Sequence, residues 1–147
     1  MSSARRAPRQ ASRQVALQVL YALDLAPERG AALETFERVA ANFDLPEGAR
    51  AFAKQLVCGV IDELPELDAR IASHARNWRL SRMPAVDRNV LRLGAYELLR
   101  TDTPAAVALD QAVELARRFG AESSPGFVNG VLDALAHEAG RLAERPE

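Results

Sequence analysis

One stretch, residues 77–100, constrains the fold of this chain more than any other. Its apolar side chains recur at helical spacing along two lines, which together make most of a helix circumference apolar. The lines are Val86, Val90, Leu93 and Leu91, Ala95, Leu98. Pro84 suits the first turn of a helix, because its missing N–H costs nothing there. Such a helix needs neighbours on several sides, so the stretch predicts the centre of an all-helical domain.

Three residues of this helix carry expectations of their own. Gly94 lowers helix propensity, so we expect another helix to approach closely at that point. The charged residues Arg88 and Glu97 are expected at a solvated edge of the helix.

Composition agrees with a helical protein that has a core. A chain of 147 residues has the length of one domain, and its abundance of Ala, Leu, Arg and Glu favours helices over strands. The one cysteine, Cys58, excludes an internal disulfide and suits a reducing compartment. Since there is neither a membrane-spanning apolar run nor a signal-peptide core, we expect a cytoplasmic protein.

The remaining periodicity predicts seven helices and no strand. The expected helices cover residues 9–24, 31–43, 49–64, 65–77, 84–100 and 105–119, with a seventh starting at Ser124. A flexible basic arm is expected over residues 1–8 and a frayed tail over 143–147, with residues 1–147 as one domain. At the helix ends, Thr103 is predicted to cap and Gly120 to adopt the left-handed conformation. Gly130 predicts a second close helix contact.

Charge is concentrated at the start of the chain. Arg5, Arg6, Arg9 and Arg13 precede the first acidic residue, Asp24, and the rest of the chain carries fifteen basic and twenty acidic residues. This basic segment has three interpretations: a nucleic-acid-binding arm, a solvated tail or an organelle transit peptide. The apolar run that follows it merges into the fold, which argues against the transit peptide.

Groups that could carry catalysis or bind metal are not found together in the sequence. His74 and His137 lack Cys or carboxylate neighbours at ligand spacing, and no phosphate-binding glycine loop or nucleophile motif occurs. The acidic residues Asp62, Glu63, Glu66 and Asp68 are expected on a solvated surface. We therefore expect no enzymatic activity, no cofactor and no metal.

Five segments, in chain order, carry a family resemblance. They are RQVALQVLY at 13–21, LVCGV at 56–60, NWRLSRMPAVDRNVLRLGAYEL at 77–98, AVELARRFGAE at 112–122 and FVNGVLD at 127–133. Together they resemble the NusB family of bacterial transcription antitermination factors over residues 9–136. The resemblance implies an all-α fold of seven helices in two packed subdomains.

The resemblance also implies a function and partners. The family binds the boxA element of ribosomal RNA leader transcripts together with a small-subunit ribosomal protein, NusE. That complex joins RNA polymerase and other Nus factors and suppresses premature termination. A homodimer with the partner-binding surface paired to itself is a further state that the resemblance allows.

Functional residues follow from the resemblance position by position. Contacts to RNA would come from the arginines of the first segment, from a second group around the last helix, and from one residue of the central helix: Arg5, Arg6, Arg9, Arg13, Ser123, Phe127 and Arg92. Tyr21 and Asp87 would hold the ribosomal-protein partner. The alternatives are core packing for Phe127, helix packing for Tyr21 and a local pair with Arg88 for Asp87.

The chain departs from the family pattern at several polar positions, which bear on RNA affinity and sequence preference. These are Gln10 and Gln14 in the basic segment, Asp110 and Gln111 before the 112–116 run, and Ser123. An alternative function is the helical domain of a ribosomal RNA cytosine methyltransferase. No cofactor-binding sheet follows the helices, which argues against that alternative unless the sequence is a fragment.

Overall fold

Seven α-helices make up the part of the chain that is described in this computed structural model, which covers residues 3–26, 31–76 and 78–141, with only the backbone given for residues 3–7. They are α1 (Ser3–Leu25), α2 (Ala32–Ala40), α3 (Glu47–Asp62), α4 (Leu64–Ala72), α5 (Ala85–Arg100), α6 (Ala105–Phe119) and α7 (Ser124–Glu138). A single 3₁₀ turn, Leu80–Arg82, precedes α5. No strand occurs in the described ranges, so the predicted all-α fold is confirmed.

Helix α1 begins earlier than the sequence predicts. It starts at Ser3 instead of near Arg9 and carries Pro8 inside it, where a flexible arm was expected over residues 1–8. Alanine and arginine are both strong helix formers, so residues 4–7 favour extending the helix, whereas Pro8 removes one backbone hydrogen bond. Residues 142–147, which include the expected frayed tail, lie outside the description.

The helices form two compact units, Met1–Asp62 and Glu63–Glu147. In the first unit α1 packs against α2 and α3. Its core holds the fully buried Val15, Val19, Phe36 and Leu56. The buried Ser12 hydroxyl lies 2.7 Å from the carbonyl oxygen of Ala49 and fastens α1 to the first turn of α3.

In the second unit α5 packs against α4, α6 and α7. It is buried over eleven of its residues, as its two apolar lines predict. Gly94 lies so close to α7 that a Cβ added there would be 2.5 Å from Leu132 Cδ1. The close helix approach expected at Gly94 is therefore confirmed. The same expectation for Gly130 is wrong, since a Cβ added there has nothing within 4 Å.

The acidic run is exposed at Asp62 and Glu66, as expected, and it also makes charged pairs with α5. The Arg92 guanidinium donates two hydrogen bonds to the Asp68 carboxylate, at 2.8 and 2.9 Å. Arg100 donates to Glu63 at 2.6 Å and to Glu66 at 2.9 Å. Spacing within α4 could not reveal these pairs, because their basic partners lie on a different helix.

Glu97 is also placed differently from the prediction. It is 2% exposed and accepts a hydrogen bond from the Thr103 hydroxyl at 3.1 Å, so the expected solvated edge is wrong at this position. Thr103 is thereby engaged away from α6, whose cap position is taken by Pro104. Arg88 is partly buried and donates to the carbonyl oxygens of Leu80 and Met83.

A smaller polar cluster joins α4 to α7. Glu138 lies 3.2 Å from His74 Nε2 and 3.2 Å from the Arg70 guanidinium. The hydrogen bond from His74, followed by the charge of Arg70, lowers the pKa of the Glu138 carboxyl below its usual value. Within the described ranges, no helix is both long and apolar enough to cross a membrane.

Candidate functional site

The second unit carries a pocket at the place where α5 and α7 begin. Its cavity volume is about 240 Å³. The lining is mostly apolar and aromatic, with one carboxylate and two hydroxyls: Trp78, Met83, Pro84, Asp87, Ala121, Ser123, Ser124 and Phe127. Three of the residues singled out from the sequence, Asp87, Ser123 and Phe127, are thus brought together here.

Two aromatic rings form one wall of this pocket. Trp78 is 52% exposed, and Phe127 is partly buried. The ring centroids lie 6.1 Å apart with the planes at 62°, an edge-to-face arrangement that aromatic pairs favour. Phe127 is therefore a wall of an open pocket and not a core residue. The exposed Trp78 ring, which is in contact with Phe127, can stack on a nucleobase.

A buried hydrogen bond fixes the floor of the pocket. Asp87, in the first turn of α5, is 6% exposed and accepts a hydrogen bond of 2.7 Å from the Ser124 hydroxyl. That hydroxyl in turn accepts one of 2.9 Å from the Ala121 backbone N–H. The bond ties the first turn of α5 to the start of α7. The neighbouring Arg88 donates to the backbone carbonyl oxygens of Leu80 and Met83.

Gly120 allows the chain to enter this corner. It was expected to end α6 in the left-handed conformation, but its φ of −100° and ψ of −167° are extended. A Cβ at this position would lie 2.7 Å from Ser124 Oγ and 2.8 Å from the Ala116 carbonyl oxygen. Glycine is needed here because the Ser124 hydroxyl leaves no room for a side chain.

Trp78 is the aromatic residue of this pocket to which no role was assigned from the sequence. It stands between Asn77 and Arg79 in a polar segment, outside the apolar lines of the central helix. A tryptophan in such surroundings has few core neighbours to bury it. That setting was the available signal for an exposed ring.

In the first unit, two of the predicted RNA-binding arginines meet one aromatic ring. The guanidinium carbon of Arg9 lies 4.1 Å from the Phe52 ring centroid and that of Arg13 lies 5.4 Å from it, both within cation–π range. Arg9 is partly exposed, whereas Arg13 is 4% exposed. Arg9 is therefore open to an anion, and Arg13 is largely withdrawn from solvent. Arg5 and Arg6 stand on the α1 backbone, and their side chains lie outside the description.

Two other predicted residues, Arg92 and Tyr21, are not among the residues that line this pocket. Arg92 is 9% exposed, and its guanidinium is held by Asp68 and by Asn89 Oδ1 at 3.2 Å. This pairing turns Arg92 toward α4, so the geometry gives no support to an RNA contact. Tyr21, on α1, is 39% exposed, and Leu25, one turn later, is 58% exposed. Their spacing places them on one face of α1 as an open apolar strip.

Comparison with known proteins agrees with this arrangement over nearly the whole chain. The NusB family model matches residues 10–137. The chain is 48% identical over 140 residues to the transcription antitermination protein NusB of Sorangium cellulosum (strain So ce56), covering 91% of this chain and 95% of that protein.

Solved structures agree in fold. A T. maritima NusB structure superposes with a TM-score of 0.81 at 34% identity, covering 88% of this chain and 91% of that one. A crystal structure of the antitermination factors NusB and NusE in complex with dsRNA gives a TM-score of 0.80 at 31% identity, covering 89% of this chain and 97% of the matched one.

Proposed function

This chain belongs to the NusB family, and on that premise we propose that it acts in transcription antitermination as an RNA-binding adaptor. It binds the boxA element of ribosomal RNA leader transcripts together with the ribosomal protein NusE. The complex then joins RNA polymerase and other Nus factors in the cytoplasm. In this function the protein positions RNA and protein partners and catalyses no reaction.

The observation that carries the proposal is the exposed Trp78 ring against Phe127 in the pocket wall. Aromatic rings that are open to solvent hold single-stranded RNA by stacking on unpaired bases, at about 1–3 kcal/mol per base. The pocket takes a base in preference to a phosphate, because Asp87 in its lining is an acid and would repel an anion. A base offers N–H groups that the polar lining can accept.

Phosphates have their own sites in the proposal. The first turn of α7 begins next to the exposed Ser123, and the positive end of the helix dipole there favours an anion beside the pocket. In the first unit Arg9 contacts phosphate, and Arg5 and Arg6 are assigned the same role from the family resemblance. Arg13 is assigned mainly to positioning, since it is buried under the Phe52 ring.

The partner surface is assigned to the exposed strip on α1. Tyr21 and Leu25 offer an aromatic and an aliphatic side chain one helical turn apart. Aromatic anchors of this kind are enriched where proteins associate. Asp87 is mostly buried, so its share in partner binding is smaller than that of Tyr21 and acts through the shape of the pocket floor.

Changing Phe127 to Ala tests the proposal with two readouts. We expect boxA affinity, measured by fluorescence anisotropy, to fall by about 1–3 kcal/mol if the ring stacks on a base. The free energy of unfolding should fall by less than the roughly 3–5 kcal/mol of a fully buried phenylalanine, because this ring is partly exposed. A large loss of stability with unchanged RNA affinity would show that Phe127 serves packing alone.

A further inference from the structure

The segment that leads into α5 is a second basic stretch without acidic residues. Between Asp68 and Asp87 the chain carries Arg70, Arg76, Arg79 and Arg82 and no Asp or Glu. Apart from the residues before Asp24, no other stretch of the chain is as long without an acid. The two longest acid-free stretches therefore both carry arginines, and only the arginines of the first stretch enter the proposed function above.

Three of these arginines are open to solvent. Arg76, Arg79 and Arg82 are all exposed. Most arginines of this unit are used internally, as Arg70 is by Glu138, Arg92 by Asp68 and Arg100 by Glu63 and Glu66. Within the described ranges, no hydrogen bond or ion pair holds the guanidinium groups of Arg76, Arg79 and Arg82. A structural role in ion pairing does not account for them.

The backbone that carries these arginines is held in place. The Arg88 guanidinium donates to the carbonyl oxygens of Leu80, at 2.7 Å, and of Met83, at 3.0 Å. The Arg82 N–H bonds to the carbonyl oxygen of Arg79 at 2.9 Å and closes the 3₁₀ turn. Arg79 and Arg82 are thus carried by a hydrogen-bonded turn, which lowers the entropy cost when their side chains contact a ligand.

We propose that Arg76, Arg79 and Arg82 form a phosphate-binding strip for single-stranded RNA, with Trp78 between them stacking on a base. The proposal rests on the proposed function and deepens it, because it adds phosphate contacts next to the pocket in the second unit. Trp78 and Met83, which line the pocket, are direct neighbours in the chain of Arg79 and Arg82. A strand whose base enters the pocket therefore passes residues that are direct chain neighbours of Arg79 and Arg82.

The chemistry favours single-stranded RNA over a duplex or an acidic protein. Three guanidinium groups and one exposed ring provide charge for phosphates and a stacking surface for bases. In a duplex the bases are paired and stacked on each other, so the Trp78 ring would find no partner. An acidic peptide would use the arginines and leave the ring unexplained.

The test is a salt titration of RNA binding by the full chain. The triple variant Arg76→Gln, Arg79→Gln, Arg82→Gln is compared with a control of equal charge, Arg38→Gln, Lys54→Gln, Arg117→Gln, whose exposed cations lie on α2, α3 and α6. Removing one arginine–phosphate interaction with a single strand lowers the log–log salt slope by about 0.7, so we expect a fall of about 2 for the first variant and less than about 0.7 for the control.

The outcomes separate this inference from the proposed function. Equal slopes in the wild type and the first variant, with RNA bound by both, would overturn the strip alone. Absence of RNA binding by the wild type would overturn the proposed function. If the salt slope falls equally in the first variant and in the control, the loss of net charge alone explains the change, and this would also overturn the strip. A blunt-ended duplex of the same sequence should bind more weakly than the single strand, and tighter duplex binding would contradict the stacking role of Trp78.

Discussion

The hydrogen bond between Asp87 and Ser124 gives the sharpest test of the pocket floor. Changing Asp87 to Ala leaves the Ser124 hydroxyl, which is 1% exposed, without its acceptor. A buried hydroxyl that loses its partner costs about 2 kcal/mol. The acid in the first turn of α5 also interacts favourably with the helix dipole, by about 0.5 kcal/mol. Together the change should lower the free energy of unfolding by about 2.5 kcal/mol.

The matched variant is Asp87→Asn, whose side-chain oxygen still accepts the hydrogen bond and which loses only the charge. For a chain of this length, the destabilisation in Asp87→Ala corresponds to a fall in Tm of roughly 5–10 °C, and that in Asp87→Asn to roughly 1–2 °C. Thermal unfolding followed by circular dichroism measures both. Equal Tm values for the two variants would refute the assignment of the stability to the hydrogen bond.

The same pair separates stability from partner binding. A lysine at position 87 would place an unpaired cation in a site that is mostly buried, so a charge reversal would unfold the protein and report nothing about NusE. Asp87→Asn keeps the fold and removes the charge. If the charge contributes to the NusE interface, this variant should bind NusE more weakly in calorimetry. Unchanged NusE affinity would show that the Asp87 charge contributes to the pocket floor and not to the NusE interface.

Three further predictions address the arginines, the helix contact and the acid response. Arg9→Ala should lower the log–log salt slope of boxA binding by about 0.7 and leave the Tm unchanged. Arg13→Ala should change the Tm more than the salt slope. The opposite result for the two variants would contradict the interpretation that Arg9 is open to solvent and Arg13 is buried. Gly94→Ala should lower the free energy of unfolding by about 1 kcal/mol, because the clash with Leu132 costs more than the gain in helix propensity. Gly130→Ala, where an added Cβ has open space, should raise it by up to about 1 kcal/mol. Chemical denaturation measures both variants. Since the pKa of the Glu138 carboxyl is lowered in the folded state, its contribution to stability is complete above pH 4.5, its usual pKa, and is lost as the pH falls through the pKa of the folded state. In Glu138→Gln the Tm should therefore depend less on pH below 4.5 than in the wild type. Parallel curves of Tm against pH for the two proteins would argue against the His74 contact.

Much of the fold follows from the sequence because helical periodicity is a local signal. The apolar lines of residues 86–98 predict a buried central helix, and α5 packs on three helices of its unit. The bounds of α6, 105–119, also agree with the prediction. Helix ends are less well predicted, as α1 shows, because a run of helix formers extends the helix through Pro8.

Interactions between helices could not be predicted from local periodicity. Gly94 and Gly130 present the same signal, yet only Gly94 faces a neighbour, because the contact depends on where α7 lies. Glu97 and Asp68 were both expected in solvent. Glu97 instead accepts a hydrogen bond from Thr103, and Asp68 pairs with Arg92 on another helix. The pocket residues are spread over positions 78–127, and only the fold brings Trp78 beside Phe127.

The central claim, that RNA binds with a base against the Trp78 ring, has a direct optical test. Trp78 is the single tryptophan of the chain, so its fluorescence reports on this pocket alone. Titrating single-stranded boxA RNA into the isolated protein should quench this fluorescence saturably, with the same midpoint as an anisotropy titration of labelled RNA. RNA that binds by anisotropy while the Trp78 emission stays unchanged would contradict the account.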